Sequence, residues 1–175
     1  MSSREEKKKN VIEVLNKARS MELQAIHLYM NQHYTLDDMD FGELAGNIKL
    51  IAIDEMKHAE DLAERIKELG GEPTTELAGP VEKGQDIKTI FPHNSGEEEG
   101  AIEAYNKFAS VCRENHDSIS TKLFERLIDE EQEHLNYFDD INDHIEKLGD
   151  AYLARIAGSV ADTGGPSRGF INQGE

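Results

Sequence analysis

The chain has 175 residues, 37% hydrophobic and 31% charged, which supplies one core and is short for more than one domain. Nineteen Lys plus Arg against 36 Asp plus Glu leave a formal charge of −17, which repels a nucleic-acid backbone and attracts cations. Apolar runs such as Leu50-Ile51-Ala52-Ile53 fall far short of the ~20 residues of a membrane span, and residues 1–9 lack the apolar segment of a signal peptide. The single Cys112 excludes an intrachain disulfide, a CxxC metal ribbon and a CxxCH haem attachment. The expectation is a soluble, cytoplasmic protein with neither nucleic acid nor membrane as partner.

All four prolines (Pro73, Pro80, Pro92, Pro166) lie outside 1–72 and 93–165, two stretches rich in Ala, Leu, Glu and Lys. In the first stretch Val11, Leu15, Ala18, Glu22, Ala25 and Tyr29 recur at helical spacing, predicting a helix near 5–34. Thr35-Leu36-Asp37-Asp38 supplies a turn with N-cap candidates. Ile51, Glu55, His58, Leu62, Ile66 and Leu69 then predict a second helix near 39–69, ended by Gly70-Gly71-Glu72-Pro73. Residues 70–93 are rich in Gly, Pro and Thr and are long enough to cross a bundle from end to end. Glu98, Ala101, Tyr105, Phe108 and Cys112 mark a third helix near 94–114. Phe124, Leu127, Glu131, His134, Phe138, Ile141, Ile145 and Leu148 mark a fourth near 118–148. The expected fold is all-α: a four-helix bundle with one long crossover, and a short fifth helix in Tyr152-Leu153-Ala154-Arg155-Ile156-Ala157 after Gly149. Residues 158–175 show no periodicity and are expected to form a flexible tail beyond a bundle unit of 1–157.

Three positions in each half place ligand-type residues on apolar stripes, where an unpartnered carboxylate is costly. Glu22 opens the phrase E-x-x-A-I-x-x-Y that ends at Tyr29, and Glu98 opens the same phrase ending at Tyr105, displaced by 76 residues. Glu55-Met-Lys-His58 and Glu131-Gln-Glu-His134 are displaced by the same 76. Glu22 lies 13 residues before Thr35 and Glu55 lies 16 after Met39, so in a hairpin the two stand at similar height. Glu and His three apart share a helix face, and four carboxylates with two imidazoles neutralise and ligate two divalent ions. A Glu from each of two helices plus Glu-x-x-His from each of the others is the donor pattern of ferritin-like di-iron or di-manganese bundles.

Over 1–157 the sequence resembles the bacterioferritins, the haem-containing branch of the ferritins, most visibly in Ile53-Asp54-Glu55-Met56-Lys57-His58-Ala59-Glu60. The resemblance implies a hollow shell of 24 subunits that stores ferric mineral. It also implies a ferroxidase that oxidises Fe2+ with O2 or hydrogen peroxide at a di-iron centre within each subunit. Matched residue by residue, Glu22, Glu55 and His58 hold one iron and Glu98, Glu131 and His134 the other, with Glu55 and Glu131 bridging. Met56, outside that inward face, is implied to ligate a haem shared with a second copy, one haem per two subunits, and an electron-donor protein is implied for iron release. Its helix face reads Ala45, Lys49, Ala52, Met56, Ala59, Ala63, a row of mostly small residues suited to close approach of a symmetry mate. Two departures stand out: Leu50 occupies a position where some members carry an iron-binding histidine, and the tail is longer than is usual.

Each feature also has a plainer reading. Ser95-Gly-Glu-Glu98 can be a capping box at a helix start. Tyr29 and Tyr105 can fill the core or donate to the metal site, and Asp54 and Glu130 can be solvated or can orient a histidine across the bundle. A rubrerythrin-like peroxidase shares the metal phrase, but one cysteine excludes the form with a four-cysteine rubredoxin module. A mini-ferritin that protects DNA usually places its metals between subunits, and a non-catalytic helical interaction protein predicts no metal response.

Overall fold

The computed structural model describes residues 3–163, and the part of the expected tail at 164–175 lies outside the described residues. Five helices follow in order: α1 (Arg4–Asp38), α2 (Gly42–Glu68), α3 (Ile87–Glu114), α4 (Ser118–Leu148) and α5 (Asp150–Ile156). α1 pairs with α2 and α3 with α4 as two hairpins, and the crossover between them runs back along α1. Asn16 holds the crossover at both sides of Pro73: its amide donates to the Glu72 carbonyl (3.1 Å), and its carbonyl accepts from the Thr74 N–H (2.7 Å). The Ala78 N–H donates to the Ser20 carbonyl at 3.0 Å further along.

The core is split in two. One apolar cluster gathers Leu28, Leu36, Ile48, Phe91 and Phe138, and the other gathers Leu15, Leu62, Tyr105, Phe124 and Leu127. Along every long helix the ligand-type residues fall between the two: Glu22 between Ala18 and Leu28, Glu55 and His58 between Ala52 and Leu62, Glu98 between Phe91 and Tyr105, Glu131 and His134 between Leu127 and Phe138. A buried polar layer therefore crosses the bundle at mid-height.

Several boundaries differ from the sequence expectation. α1 runs through Thr35-Leu36-Asp37-Asp38, and the turn is made by Met39, Asp40 and Phe41, with Asp40 in the left-handed region (φ 67°). α3 begins seven residues early, at Ile87, where the Asp86 carboxylate accepts from the Lys88 N–H at 2.9 Å. Pro92 thus sits inside α3, near its start. The carbonyl it leaves unpaired belongs to exposed Lys88, and burial of Ile87, Ile90 and Phe91 offsets the lost bond. Glu98 is consequently in the helix interior, so the capping-box reading of Ser95 falls away.

The boundary placed at 157/158 also falls inside built structure. Ser159 pairs as an isolated bridge with Phe41, the Gly158 N–H donates to the Asp40 carbonyl at 2.8 Å, and the Ser159 hydroxyl accepts from the Glu43 N–H at 2.9 Å. α2 has no capping side chain of its own, and this hydroxyl from far along the chain serves instead. Gly42 is what lets the segment come so close: a Cβ there would lie 2.2 Å from the Ser159 carbonyl oxygen.

At the opposite end of the bundle Asp117 caps α4, accepting from the Ile119 and Ser120 N–H groups at 3.1 and 3.0 Å. Arg65 of α2 donates to both its oxygens (2.9 and 2.8 Å) and to the Ser120 hydroxyl (2.9 Å), linking the two hairpins. Burial raises the Asp117 pKa, but the Ser120 N–H and the Arg65 guanidinium outweigh it and hold the carboxyl below the usual range. Asp117→Ala should therefore cost about 2–4 kcal/mol, from a lost cap and the lost charge-assisted bonds to Arg65. Because the folded pKa is depressed, this stabilisation is present above the ordinary carboxylate pKa of about 3.9 and disappears as pH falls through the lower folded value. Denaturant unfolding of wild type and variant at pH 7 and at pH 2–3 checks both the gap and its closing.

Candidate metal centre

Six side chains converge in the polar layer: Glu22 from α1, Glu55 and His58 from α2, Glu98 from α3, Glu131 and His134 from α4. All six are buried. The helical repeat explains the pairing, since residues three apart on α2 and on α4 point to one face. The ligand atoms form two overlapping sets, Glu22, Glu55, His58, Glu131 and Glu55, Glu98, Glu131, His134, each with all its atoms within 4.8 Å of one another. Glu55 and Glu131 belong to both.

Within the sets, each imidazole Nδ1 faces the carboxylates. His58 Nδ1 stands 3.0 Å from Glu55 Oε2, 3.2 Å from Glu131 Oε1 and 3.7 Å from Glu22 Oε1, while His134 Nδ1 stands 3.1 Å from Glu131 Oε2 and from Glu55 Oε1. Glu55 Oε1 and Glu131 Oε1, although close to an imidazole, make no hydrogen bond, and they are buried. Two buried carboxylate oxygens without a donor, in the two residues that both sets share, fit a pair of cations bridged by Glu55 and Glu131. Hard oxygen donors with one imidazole per set suit iron, manganese or zinc.

Two tyrosines complete the layer, and they do so crosswise. The Tyr29 hydroxyl of α1 donates to Glu98 on α3, and the Tyr105 hydroxyl of α3 donates to Glu22 on α1. Burial, then the neighbouring carboxylates, push both phenols well above their ordinary pKa, so they stay protonated as donors. Of the two acids preceding the shared glutamates, Glu130 reaches across to His58 Nε2 at 2.8 Å, whereas Asp54 stops 3.7 Å short of His134 Nε2.

Burial and mutual repulsion shift the protonation of the layer. Burial, then repulsion from the shared glutamates, raises Glu22 and Glu98 well above the usual carboxylate range. For Glu131 burial pushes upward, but the adjacent His134 and His58 imidazoles prevail and lower it to about 2. The imidazoles mirror this: desolvation disfavours their charge, yet the surrounding carboxylates raise His58 strongly and His134 to about 11.

A cavity of about 150 Å³ leads to the layer between α1 and α3, from exposed Glu97 and half-buried Gln24 at its rim, past Met21, Ala25 and Ala101, to Glu22, Glu98 and the shared glutamates. Sequence reasoning missed this passage. Its one visible trace was the small side chain at Ala25 and Ala101 in the repeated phrase, which leaves room above each glutamate.

Met56 stands apart from the layer, 53% exposed on the other side of α2. The row of small residues expected around it does not form one outward face. Ala45, Ala52 and Ala59 are buried within the chain itself; Ala45 and Ala59 offer their carbonyls to His33 and Arg19 of α1. A row at spacing seven rotates only slowly about a helix, so it followed the α1 seam rather than a free surface.

A four-helix bundle with a buried, internally duplicated carboxylate–histidine site is thus defined. Residues 12–148 match the ferritin-like domain family. The chain is 60% identical over 169 residues to the bacterioferritin of Desulfovibrio desulfuricans, covering 97% of this chain and 94% of the relative. A bacterioferritin of Streptomyces coelicolor is 34% identical, over 83% of this chain and 88% of the relative. Among solved structures, that of the Desulfovibrio desulfuricans bacterioferritin, described as showing its diiron site in different catalytic states, superposes with a TM-score of 0.96 at 59% identity and covers 97% of this chain and 99% of its own. Mycobacterium tuberculosis BfrA follows with a TM-score of 0.80 at 30% identity, over 84% of this chain and 93% of its own. The chain belongs to the bacterioferritins. Among the described residues no helix is long and apolar enough to cross a membrane.

Cations seated in the layer must displace the protons on Glu22, Glu98, His58 and His134. Loading with two Zn2+ should release protons and tighten as pH rises, because protons compete for the same atoms. Calorimetry in buffers of different ionisation enthalpy measures the release, and a pH-independent affinity would contradict the proton inventory.

Proposed function

We propose that the six-residue layer is a ferroxidase centre and that the protein stores and detoxifies iron in the cytoplasm. Glu22, Glu55 and His58 bind one Fe2+, Glu98, Glu131 and His134 bind the second, and Glu55 and Glu131 bridge. The observation that carries this reading is the pair of overlapping ligand sets sharing two residues that each carry an unpartnered carboxylate oxygen. The diiron site of the Desulfovibrio desulfuricans relative supports it.

Fe2+ is the substrate, drawn toward the acidic chain and admitted past Glu97 and Gln24. Two Fe2+ give up one electron each, which together reduce O2 to peroxide, or peroxide to water, so that no one-electron oxygen species need leave the site. The residues contribute position and charge. Four carboxylates match the charge of two divalent ions, while the tyrosine hydroxyls each hold one oxygen of Glu22 and Glu98. Adding about two Fe2+ per chain without oxygen, then O2, should give a fast absorbance change that Glu55→Ala or Glu131→Ala abolishes. An unchanged fast phase in both variants would remove the assignment.

The product ferric mineral would be held in a shell of 24 subunits, built from dimers that share a haem between two Met56 side chains and served by an electron-donor protein for iron release. An exposed thioether on the side of α2 away from Glu55 and His58 supports this role, since a haem there would not compete with the inner site. Haem would supply a route for electrons between the surface and stored iron. Met56→Leu keeps volume and apolarity but removes the sulfur, so it should abolish or shift the haem spectrum while fast iron oxidation survives. Retention of the wild-type spectrum would refute Met56 as the ligand.

A further inference from the structure

The two halves of the centre share a donor set, yet their outer supports differ. His58 is held from behind: Glu130 Oε2 lies 2.8 Å from its Nε2, Glu130 Oε1 accepts from Arg126 Nη1 at 2.9 Å, and Arg126 Nη2 reaches Asp61 Oδ2 at 2.5 Å. The chain Asp61–Arg126–Glu130–His58 begins and ends on α2 and passes through α4, so the carboxylate behind His58 is itself restrained. The equivalent residue for His134 is Asp54, one methylene shorter. It stands 3.7 Å from His134 Nε2 and makes no hydrogen bond to it, and its Oδ1 is turned to Lys57 at 2.8 Å. His134 also borders a cavity of about 270 Å³ with Asn47, Leu50 and Tyr137, and its side chain is 9% exposed against 1% for His58.

An imidazole whose second nitrogen is hydrogen-bonded is fixed in ring orientation and is a better metal donor, and loss of such a partner typically weakens binding 10–100-fold. We infer that Glu130, restrained by Arg126 and Asp61, is a positioning residue that makes the centre unequal: the His58 half is preorganised and fills first, and the His134 half fills second and more weakly. The inference rests on the reading of the six residues as a two-metal centre. It adds that the inequality is set outside the ligand shell, by Glu in one copy of the repeat where the other has Asp.

The test is a Co2+ titration of the full-length protein without oxygen, followed by the visible ligand-field spectrum of each equivalent. Wild type should bind in two separable steps. Glu130→Asp, which shortens the reach to that of Asp54, should weaken the first step about tenfold and bring the two together. Arg126→Gln should act in the same direction through Glu130, and Asp54→Glu should strengthen the second step by giving His134 a partner. Metal-free melting should hardly move in Arg126→Gln and Asp54→Glu, because the ion pairs of Arg126 and Asp54 are exposed and contribute little to folding. Two equal steps in wild type, or Glu130→Asp with unchanged steps and spectra, would overturn the inference while leaving the two-metal reading intact. Absence of Co2+ uptake together with its absence in Glu55→Ala would overturn both.

Discussion

Four carboxylates and two imidazoles must be kept away from water in the middle of a helical bundle, and most of the structure answers to that constraint. An isolated buried carboxylate is far too costly to be tolerated. Here the cost is lowered by mutual compensation: Glu131 is held ionised by two imidazoles, Glu22 and Glu98 hold protons, and the tyrosines donate to those two. The two apolar clusters on either side close the layer and fix helix register, so the polar atoms remain within ligand distance of each other. Stability and site geometry therefore come from the same packing, with the polar layer as a fault that the flanking clusters bridge.

Duplication explains why the compensation is nearly symmetric. Each half contributes one E-x-x-A-I-x-x-Y helix and one E-x-x-H helix, and the tyrosine of one half serves the glutamate of the other. The crosswise bonds join α1 and α3, while Arg65 with Asp117 and Arg126 with Asp61 join α2 and α4. Hairpin pairing alone would leave the two halves free to slide. Slippage by even one helical turn would separate Glu55 from Glu131, so these links between hairpins position the site as much as they stabilise the fold.

The helix count, the hairpin order and all six converging residues were legible in the sequence, because each rests on a repeating period or on the repeat of 76. What escaped were features set by contacts between distant segments. Pro92 read as a boundary because proline usually is one, and nothing local announced that Ile87, Ile90 and Phe91 would be buried ahead of it. Ser159 had no pattern to mark it as the cap of α2, since its partner lies 116 residues away. The alanines near Met56 have a period compatible with either an inner seam or a free face, and only the packing of α1 decides between them. Asp54 and Glu130 were recognisable as candidates, but the one-methylene difference acquired meaning only when their reach was measured.

The centre also has two distinct surroundings, and these follow from the way the helices are paired. On the α1/α3 side, tyrosines and small residues leave a passage that ends on the carboxylates Glu22 and Glu98. On the α2/α4 side, the imidazoles form the wall, with His58 backed by Glu130 and His134 bordering a separate cavity. Glutamate, acidic and with freely rotating bonds, lies where the passage ends, and the stiffer imidazole lies behind it. This division is dictated by the motifs: the lone glutamates belong to helices without a histidine, so the pairing that brings six residues together also sorts them by face.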